Sequence, residues 1–94
     1  MKAVRWTANA RRDLDRIDDW YADIDPDFAD RVGDNAIAAA NFLLEYPLAG
    51  PCVKGKVRKW PVPSTDFRLF YRLHADAIEI LRVRHAREDV GKLP

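Results

Sequence analysis

The sequence predicts an α+β domain in which two helices pack on an antiparallel sheet. Residues 67–85 contain two runs that alternate apolar and polar side chains around a short polar turn, which is typical of a β-hairpin. Residues 8–46 instead repeat apolar residues every three or four positions, which is typical of amphipathic helices. The length of 94 residues and the hydrophobic fraction of 48% fit one globular domain, residues 1–94.

The N-terminal part predicts a strand followed by a helix. Residues 2–6 alternate and predict a short strand, and Thr7 is a good N-cap for the helix behind it. The predicted buried stripe of this helix comprises Ala10, Leu14, Ile17, Tyr21 and Ile24. The predicted solvated face comprises Arg11, Arg12, Asp15, Arg16, Asp18 and Asp19. Trp20 lies beside the apolar stripe and not on it, which indicates a partially exposed side chain that could anchor a partner. Trp6, in contrast, is expected in the core.

A second helix is predicted from Pro26 to Tyr46. Asp25 can accept hydrogen bonds from the first free N–H groups, and Pro26 fits the first helical position. The predicted buried stripe comprises Ala29, Val32, Ala36, Ala40 and Leu43. Because Pro47 disfavours helix at Tyr46, the helix should end there. The short turn before Pro26 makes the two helices an antiparallel hairpin.

The second half of the chain predicts a loop and three strands. Residues 47–56 are rich in Pro and Gly and predict a loop. Residues 57–62 predict a strand near a sheet edge, because prolines cannot donate ladder hydrogen bonds. The hairpin of residues 67–85 turns at His74, Ala75 and Asp76. The predicted order is therefore β-α-α-β-β-β, an N-terminal strand, a helical hairpin and a three-stranded antiparallel meander.

The amino-acid composition limits the classes of function that this chain can have. Residues 1–50 have a net charge of −4 and residues 51–94 of +5, so the second half suits an anionic partner, unless the two halves neutralise each other within the domain. The lone Cys52 allows no internal disulfide, which suits the cytoplasm. No run of apolar residues is long enough for a membrane span, and none follows the start as in a signal peptide. With two histidines and one cysteine, no spacing predicts a metal site.

Three segments together resemble the ParE/RelE toxin superfamily of type II toxin–antitoxin systems. They are Val4-x-Trp6-Thr7-x-x-Ala10-x-x-Asp13-Leu14-x-x-Ile17, Tyr46-Pro47-Leu48-Ala49-Gly50, and the hairpin ending in Ile80-Leu81-Arg82-Val83-Arg84-His85-Ala86-Arg87-Glu88-Asp89. The ending is most similar to the ParE branch. The resemblance covers nearly the whole chain and implies the same order of strands and helices.

The ParE resemblance implies a toxin that binds DNA gyrase, traps it on cut DNA and is neutralised by a ParD-like antitoxin in a hetero-oligomer. It implies no catalytic residues, no cofactor and no sequence-specific contact with nucleic acid. The residues that we expect to contact the target are Arg82, Arg84, His85 and Arg87. Those expected to contact the antitoxin are Asp19, Trp20, Asp23, Asp30, Arg68 and Arg72. The acidic tail of the antitoxin would fold as a helix and a strand against the toxin.

Two other functions stay open. A RelE-like toxin is a metal-independent ribonuclease that cuts mRNA on the ribosome, and here Arg68, His85 and Arg87 would supply the phosphate contacts and the proton transfers. Basic residues of the preceding loop and strand would assist, namely Lys54, Lys56, Arg58 and Lys59. The chain lacks the terminal Tyr that is usual in that branch. The third possibility is a partner-binding module without toxicity.

Overall fold

The computed structural model describes residues 3–87 and contains two helices and five strands in this range. Their bounds in chain order are β1 (Ala3–Trp6), α1 (Ala8–Ala22), α2 (Pro26–Glu45), β2 (Cys52–Lys54), β3 (Val57–Pro61), β4 (Phe67–Leu73) and β5 (Ala77–His85). The predicted α+β class and the predicted order of helices and long strands are confirmed.

The strands form one sheet in the order β1-β5-β4-β3-β2. β2 to β5 are an antiparallel meander, whereas β1 runs parallel to β5, with Ala3 opposite Ala77 and Trp6 opposite Ile80. β2 is an addition to the prediction, which placed a loop at residues 47–56. It forms because Gly55 adopts a positive φ of 57° and turns the chain back, so that Cys52 pairs with Arg58.

Both helices begin at the predicted caps. The Thr7 side chain accepts a hydrogen bond from the Ala10 N–H at 3.1 Å, and its hydroxyl donates to the Leu81 carbonyl at 3.0 Å. The Asp25 carboxylate accepts from the Phe28 N–H at 3.1 Å, ahead of Pro26 at the first turn. Each cap removes an unsatisfied donor from its helix end, and Thr7 also ties α1 to β5.

The helices cover one face of the sheet and bury the main core with it. α2 contributes most of the buried helix residues, and its alanines let the sheet approach closely; the buried helix residues of this core are Ala10, Val32, Ala36, Ala39, Ala40 and Leu43. The buried sheet residues are Val62, Phe67, Leu69, Tyr71, Ile78, Ile80 and Val83. Leu14, Ile17, Tyr21 and Trp6 pack against this core as predicted, but they are half-buried and not fully enclosed.

One member of the predicted α1 stripe is misplaced. Ile24 was expected on the buried face, but α1 ends at Ala22 and the Ile24 side chain is 67% exposed. The N–H groups of Ile24 and Asp25 both bond the Tyr21 carbonyl, which closes the helix and turns the chain toward α2. The 3.6-residue period therefore stops applying before Ile24 is reached.

The sheet face turned away from the helices, called the open face below, carries a second apolar cluster. It consists of Val57, Phe70 and Leu81, with Val53 beside them. A register shift makes Tyr71 pair with Ile80 and Phe70 with Arg82, so Leu81 is the extra residue of a β-bulge. The bulge turns Leu81 to the open face and frees Arg82 to reach toward α1.

Among residues 3–87, neither helix combines the length and the apolarity needed to cross a membrane.

Candidate functional site

A groove of about 400 Å³ lies where α1 crosses the C-terminal part of β5. Apolar side chains and three arginines surround it, and we call it the α1–β5 groove: Asp13, Arg16, Ile17, Trp20, Tyr21, Phe67, Arg82, Val83 and Arg84. Such a combination of an apolar floor and a few convergent polar groups is usual for a binding site.

Asp13 organises the floor of this groove. Its side chain is only 3% exposed, and the Arg82 guanidinium binds it with two nitrogens, at 2.7 and 3.0 Å. The Val83 N–H donates to the same carboxylate at 2.9 Å, and Arg16 adds a bond at 2.7 Å. A bidentate, nearly buried pair of this kind fixes the position of the helix on the strand. One carboxylate thus binds two arginines, and a third arginine, Arg84, also lines the groove.

Trp20 forms an exposed wall of the groove. It follows Ile17 and precedes Tyr21 on α1, and its side chain is 69% exposed. Tyr21 beside it is half-buried and packs edge-on against Phe28 of α2, with ring centroids 4.8 Å apart. The predicted exposure of Trp20 is confirmed, and a rigid neighbourhood supports this large aromatic ring.

His85 and Arg87 lie at the end of β5. The His85 ring packs edge-on against Phe67, with centroids 5.4 Å apart, and its Nδ1 accepts the Arg87 N–H at 3.2 Å. The register pairs Phe67 with His85 and Arg68 with Arg84. Because successive residues of a strand point to opposite faces, Arg68 and His85 lie on opposite faces of the hairpin. The Arg87 side chain is exposed beyond the strand end.

The open face is predominantly cationic. Arg68 and Arg84 are register partners, and Lys59 lies opposite Phe70. Arg72, one of the expected antitoxin contacts, binds Glu79 across the hairpin at 2.9 Å. α1 covers the other face of the sheet, so its carboxylates are out of reach of Arg72.

Glu79 is also bound by His74, whose Nε2 lies 2.9 Å from the carboxylate Oε1. Hydrogen bonds from His74 and then from Arg72 hold the pKa of Glu79 below its usual value of 4.5. His74, expected to be a simple turn residue, also donates its backbone N–H to the Ala77 carbonyl at 2.9 Å. The β4–β5 turn is thus held by both backbone and side chains.

The residues expected to contact a partner fall into two regions. Asp19, Trp20, Asp23 and Asp30 are exposed on the helical hairpin, whereas Arg68 and Arg72 lie on the open face. The α1–β5 groove brings Trp20 of the first set together with Arg82 and Arg84, which were expected to contact the target. Arg82 is only 18% exposed there because of its pair with Asp13.

Asp13 and Glu79 were given no role by the sequence analysis. Asp13 lies three residues after Ala10 and next to Leu14, so its position on the buried stripe was the available signal. A carboxylate on a buried stripe needs a cationic partner, and the arginine-rich end of β5 supplies one. Among residues 3–87, no group of three or more His, Cys, Asp or Glu side chains is arranged to hold a metal ion.

The chain matches the family model described as the ParE toxin of the type II toxin–antitoxin system parDE over residues 4–90. It is 36% identical to the protein Y4kP of Sinorhizobium fredii over 88 residues, which are 93% of this chain and 91% of that protein.

Two solved structures extend the comparison. A chain of the chromosomal ParDE toxin–antitoxin system from P. aeruginosa superposes with a TM-score of 0.79 at 27% identity, covering 90% of this chain and 96% of that one. A chain of the toxin–antitoxin complex RelBE2 from Mycobacterium tuberculosis gives a TM-score of 0.61 at 28% identity, covering 89% and 96%. The similarity therefore extends over about nine-tenths of this chain.

Proposed function

Since the chain belongs to the ParE toxin family of type II toxin–antitoxin systems, we propose that it is a cytoplasmic toxin that inhibits DNA gyrase by binding it. A ParD-like antitoxin neutralises it in a hetero-oligomer. The proposed contacts with the target are Arg82, Arg84, His85 and Arg87, at and beyond the end of β5. No bond of the target is broken by the toxin.

The α1–β5 groove supports binding of an antitoxin with an acidic tail. An apolar side chain of the tail fits between Ile17, Tyr21 and Val83, and its carboxylates meet the positive rim at Arg16 and Arg84. The exposed Trp20 ring is the kind of aromatic anchor that carries much of the energy of protein interfaces. Asp19, Asp23 and Asp30 on the helices, and Arg68 and Arg72 on the open face, complete the proposed contacts.

Binding without cleavage is supported by one observation, the separation of Arg68 from His85. A metal-independent ribonuclease needs its phosphate-binding cation and its proton-transfer group at the same phosphodiester. Here the register places these two side chains on opposite faces of β4 and β5. Tight packing of the His85 ring against Phe67 also ties it to the helix-covered side.

A RelE-like ribonuclease is the second candidate, favoured by the cations of the open face. Lys59 and Arg68 lie there, and Arg84 is the register partner of Arg68. Such a surface attracts a nucleic-acid backbone. The similarity to a chain of the RelBE2 complex points in the same direction.

Purified toxin, free of antitoxin, decides between the two candidates. It is added to a gyrase supercoiling reaction and, separately, to ribosomes translating a defined mRNA. Inhibited supercoiling with intact mRNA supports our proposal, whereas cleaved mRNA with undisturbed supercoiling overturns it. His85→Ala separates the two further: a binding toxin that loses one of several contacts weakens by about tenfold or less, while an enzyme that loses its acid or base falls by about 100-fold or more.

A further inference from the structure

The charges of this domain are divided between its two layers. The five strands contain eight Lys or Arg residues and one Glu, whereas the two helices contain four Arg residues and eight Asp or Glu. Because the helices cover one face of the sheet, the molecule has a negative helical side and a positive sheet side. A polyanion is therefore attracted to the sheet and repelled from the helices.

Alternation along the strands directs several of these cations to the open face. Arg5 of β1 lies between two residues that pack on the main core, and Arg68 of β4 lies between two members of that core. Both side chains therefore point away from the helices. Lys59 of β3 lies opposite Phe70, a member of the second apolar cluster, and so points the same way. Arg84, which also lines the α1–β5 groove, is the register partner of Arg68.

Glu79 is the one carboxylate that the five strands contribute. Its register partners are Arg5 on β1 and Arg72 on β4, and Arg72 binds it at 2.9 Å. This pair lies near the β4–β5 turn. Lys59 and Arg68 lie further along the strands, so the positive charge of the open face is largest away from that turn.

The cations cover enough of the face to meet several phosphates at once. Three strand spacings separate Arg5 on β1 from Lys59 on β3, which amounts to about 14 Å. Lys59 and Arg68 occupy diagonal positions on neighbouring strands, and such positions are about 7–8 Å apart. Duplex DNA carries one negative charge per about 1.7 Å of its axis, so several phosphates lie within this width.

The aromatic residues of the sheet are not placed to stack on bases. Single-stranded nucleic acids are held largely by bases that stack on exposed aromatic rings. The strands contain five Trp, Tyr or Phe residues, and four of them belong to the main core or pack on it: Trp6, Trp60, Phe67 and Tyr71. The fifth, Phe70, is only 3% exposed. The face thus offers contacts to phosphates and no ring to a base, which favours the backbone of a duplex.

We infer that the open face binds the phosphate backbone of duplex DNA, independently of base sequence. Arg84 connects this face to the end of β5, where we propose the contacts with gyrase, so one toxin molecule can hold the enzyme and its DNA together. The identification of this DNA as the segment bound by gyrase rests on the proposed function, whereas the binding surface itself does not.

Binding of purified, antitoxin-free toxin to a fluorescently labelled DNA duplex, measured by anisotropy at several salt concentrations, tests the inference. We expect a dissociation constant of about 1–100 μM at physiological salt, the usual range of sequence-independent binding. Lys59→Gln combined with Arg68→Gln should weaken binding about tenfold and make the slope of log K against log salt shallower by about 2, because two phosphate contacts are lost. Arg5→Gln, a single change at an exposed position of the same face, should make the slope shallower by about 1.

Arg11→Gln combined with Arg12→Gln is the matched control. It removes the same charge as the Lys59 and Arg68 double variant, but from exposed positions on α1, on the helical side. Its affinity for the duplex and its salt slope should equal those of the wild type. Urea midpoints establish that each variant is folded, and Arg5→Gln decides the question alone if the Lys59 and Arg68 double variant is not.

Three results overturn the inference. They are no binding of the duplex at about 0.1 mM toxin, an equal loss of affinity in the α1 control, and tighter binding of single-stranded RNA than of the duplex. The supercoiling assay keeps this inference apart from the proposed function. Toxin that binds the duplex through the open face but leaves gyrase active refutes the gyrase proposal only, whereas toxin that inhibits gyrase without binding the duplex refutes this inference only.

Discussion

Asp13 of α1 accepts hydrogen bonds from the Arg82 side chain and from the Val83 main chain, and these bonds join α1 to β5. Its carboxylate is nearly inaccessible and receives Arg82 and the Val83 N–H together. A buried charge is tolerated because every strong donor around it is directed at it. The α1–β5 groove keeps its shape for the same reason, since both of its walls meet at this residue.

Replacing Asp13 by Ala should therefore cost about 3–5 kcal/mol in the free energy of unfolding, because it leaves the Arg82 charge and the Val83 N–H without this acceptor. Urea denaturation followed by circular dichroism measures the loss. Asp15→Ala, two residues further along the same helix and exposed, is the control and should change stability by about 0.5 kcal/mol or less. A loss below about 1 kcal/mol at Asp13 would contradict the assigned role.

The sequence predicted the contacts of individual side chains less well than it predicted the helices and strands. The caps at Thr7 and Asp25 could be predicted because an N-cap depends only on local spacing. Asp13 could not be assigned, since its partner lies 69 residues away and is reached only through the bulge at Leu81. The pair of Arg72 with Glu79 was not predicted, because the sequence does not state which residues of β4 and β5 lie opposite each other.

At the scale of elements, the β4–β5 hairpin combines apolar and ionic ties. Leu73 pairs with Ile78 on the covered face, while Arg72 and His74 both bind the Glu79 carboxylate near the turn. Since the folded pKa of Glu79 is lowered, its contribution to stability is complete above pH 4.5 and is lost as the pH falls through the lowered value.

Glu79→Gln should remove that part of the acid sensitivity. Wild-type protein is expected to lose up to about 1 kcal/mol from this contact on acidification, a small amount because the pair is partly exposed to solvent. Thermal or urea unfolding between pH 6 and about 3 measures it. His74→Ala, which removes the main partner of the carboxylate, should give an intermediate slope. Identical slopes for wild type and Glu79→Gln would refute the prediction.

Elements with a strong period were predicted well, and the short edge strand was not. Both helices and the strands β3, β4 and β5 follow from patterns of 3.6 or two residues. β2 has three residues and stands between Pro51 and Gly55, so composition alone indicated a loop. The pairing of Cys52 with Arg58 depends on the turn at Gly55 and on contact with β3, which the composition of the segment does not show.

The whole molecule presents three surfaces of different chemistry. The α1–β5 groove is apolar with arginines around it, and the open face is cationic around a small apolar cluster. The third surface lies at the end of α2 and is apolar; it comprises Phe42, Tyr46, Pro47, Leu48 and Ala49. The net charge of +1 does not show that these surfaces differ in charge. The unequal charges of the two halves of the chain indicated an uneven distribution but not its position on the fold. Different partners can therefore bind to different sides.

Trp20→Ala should weaken antitoxin binding by about 2 kcal/mol or more, because the residue is a large exposed aromatic on the groove wall. The partner to use is the antitoxin encoded by the reading frame beside the toxin gene, titrated in a calorimeter. Ile37→Ala is the control, since Ile37 is exposed on α2 outside the groove. The affinity of this variant for the antitoxin should stay within about twofold of the wild-type affinity. Equal affinities for wild type and Trp20→Ala would place the antitoxin elsewhere.

The parallel pairing of β1 with β5 has a consequence for synthesis. β1 finds its neighbour only when residues 77–80 have left the ribosome, and β5 then lies between β1 and β4. A nascent or truncated chain that stops before this point has neither a closed sheet nor a groove. Binding through the α1–β5 groove therefore cannot precede the synthesis of β5, which forms one of its walls.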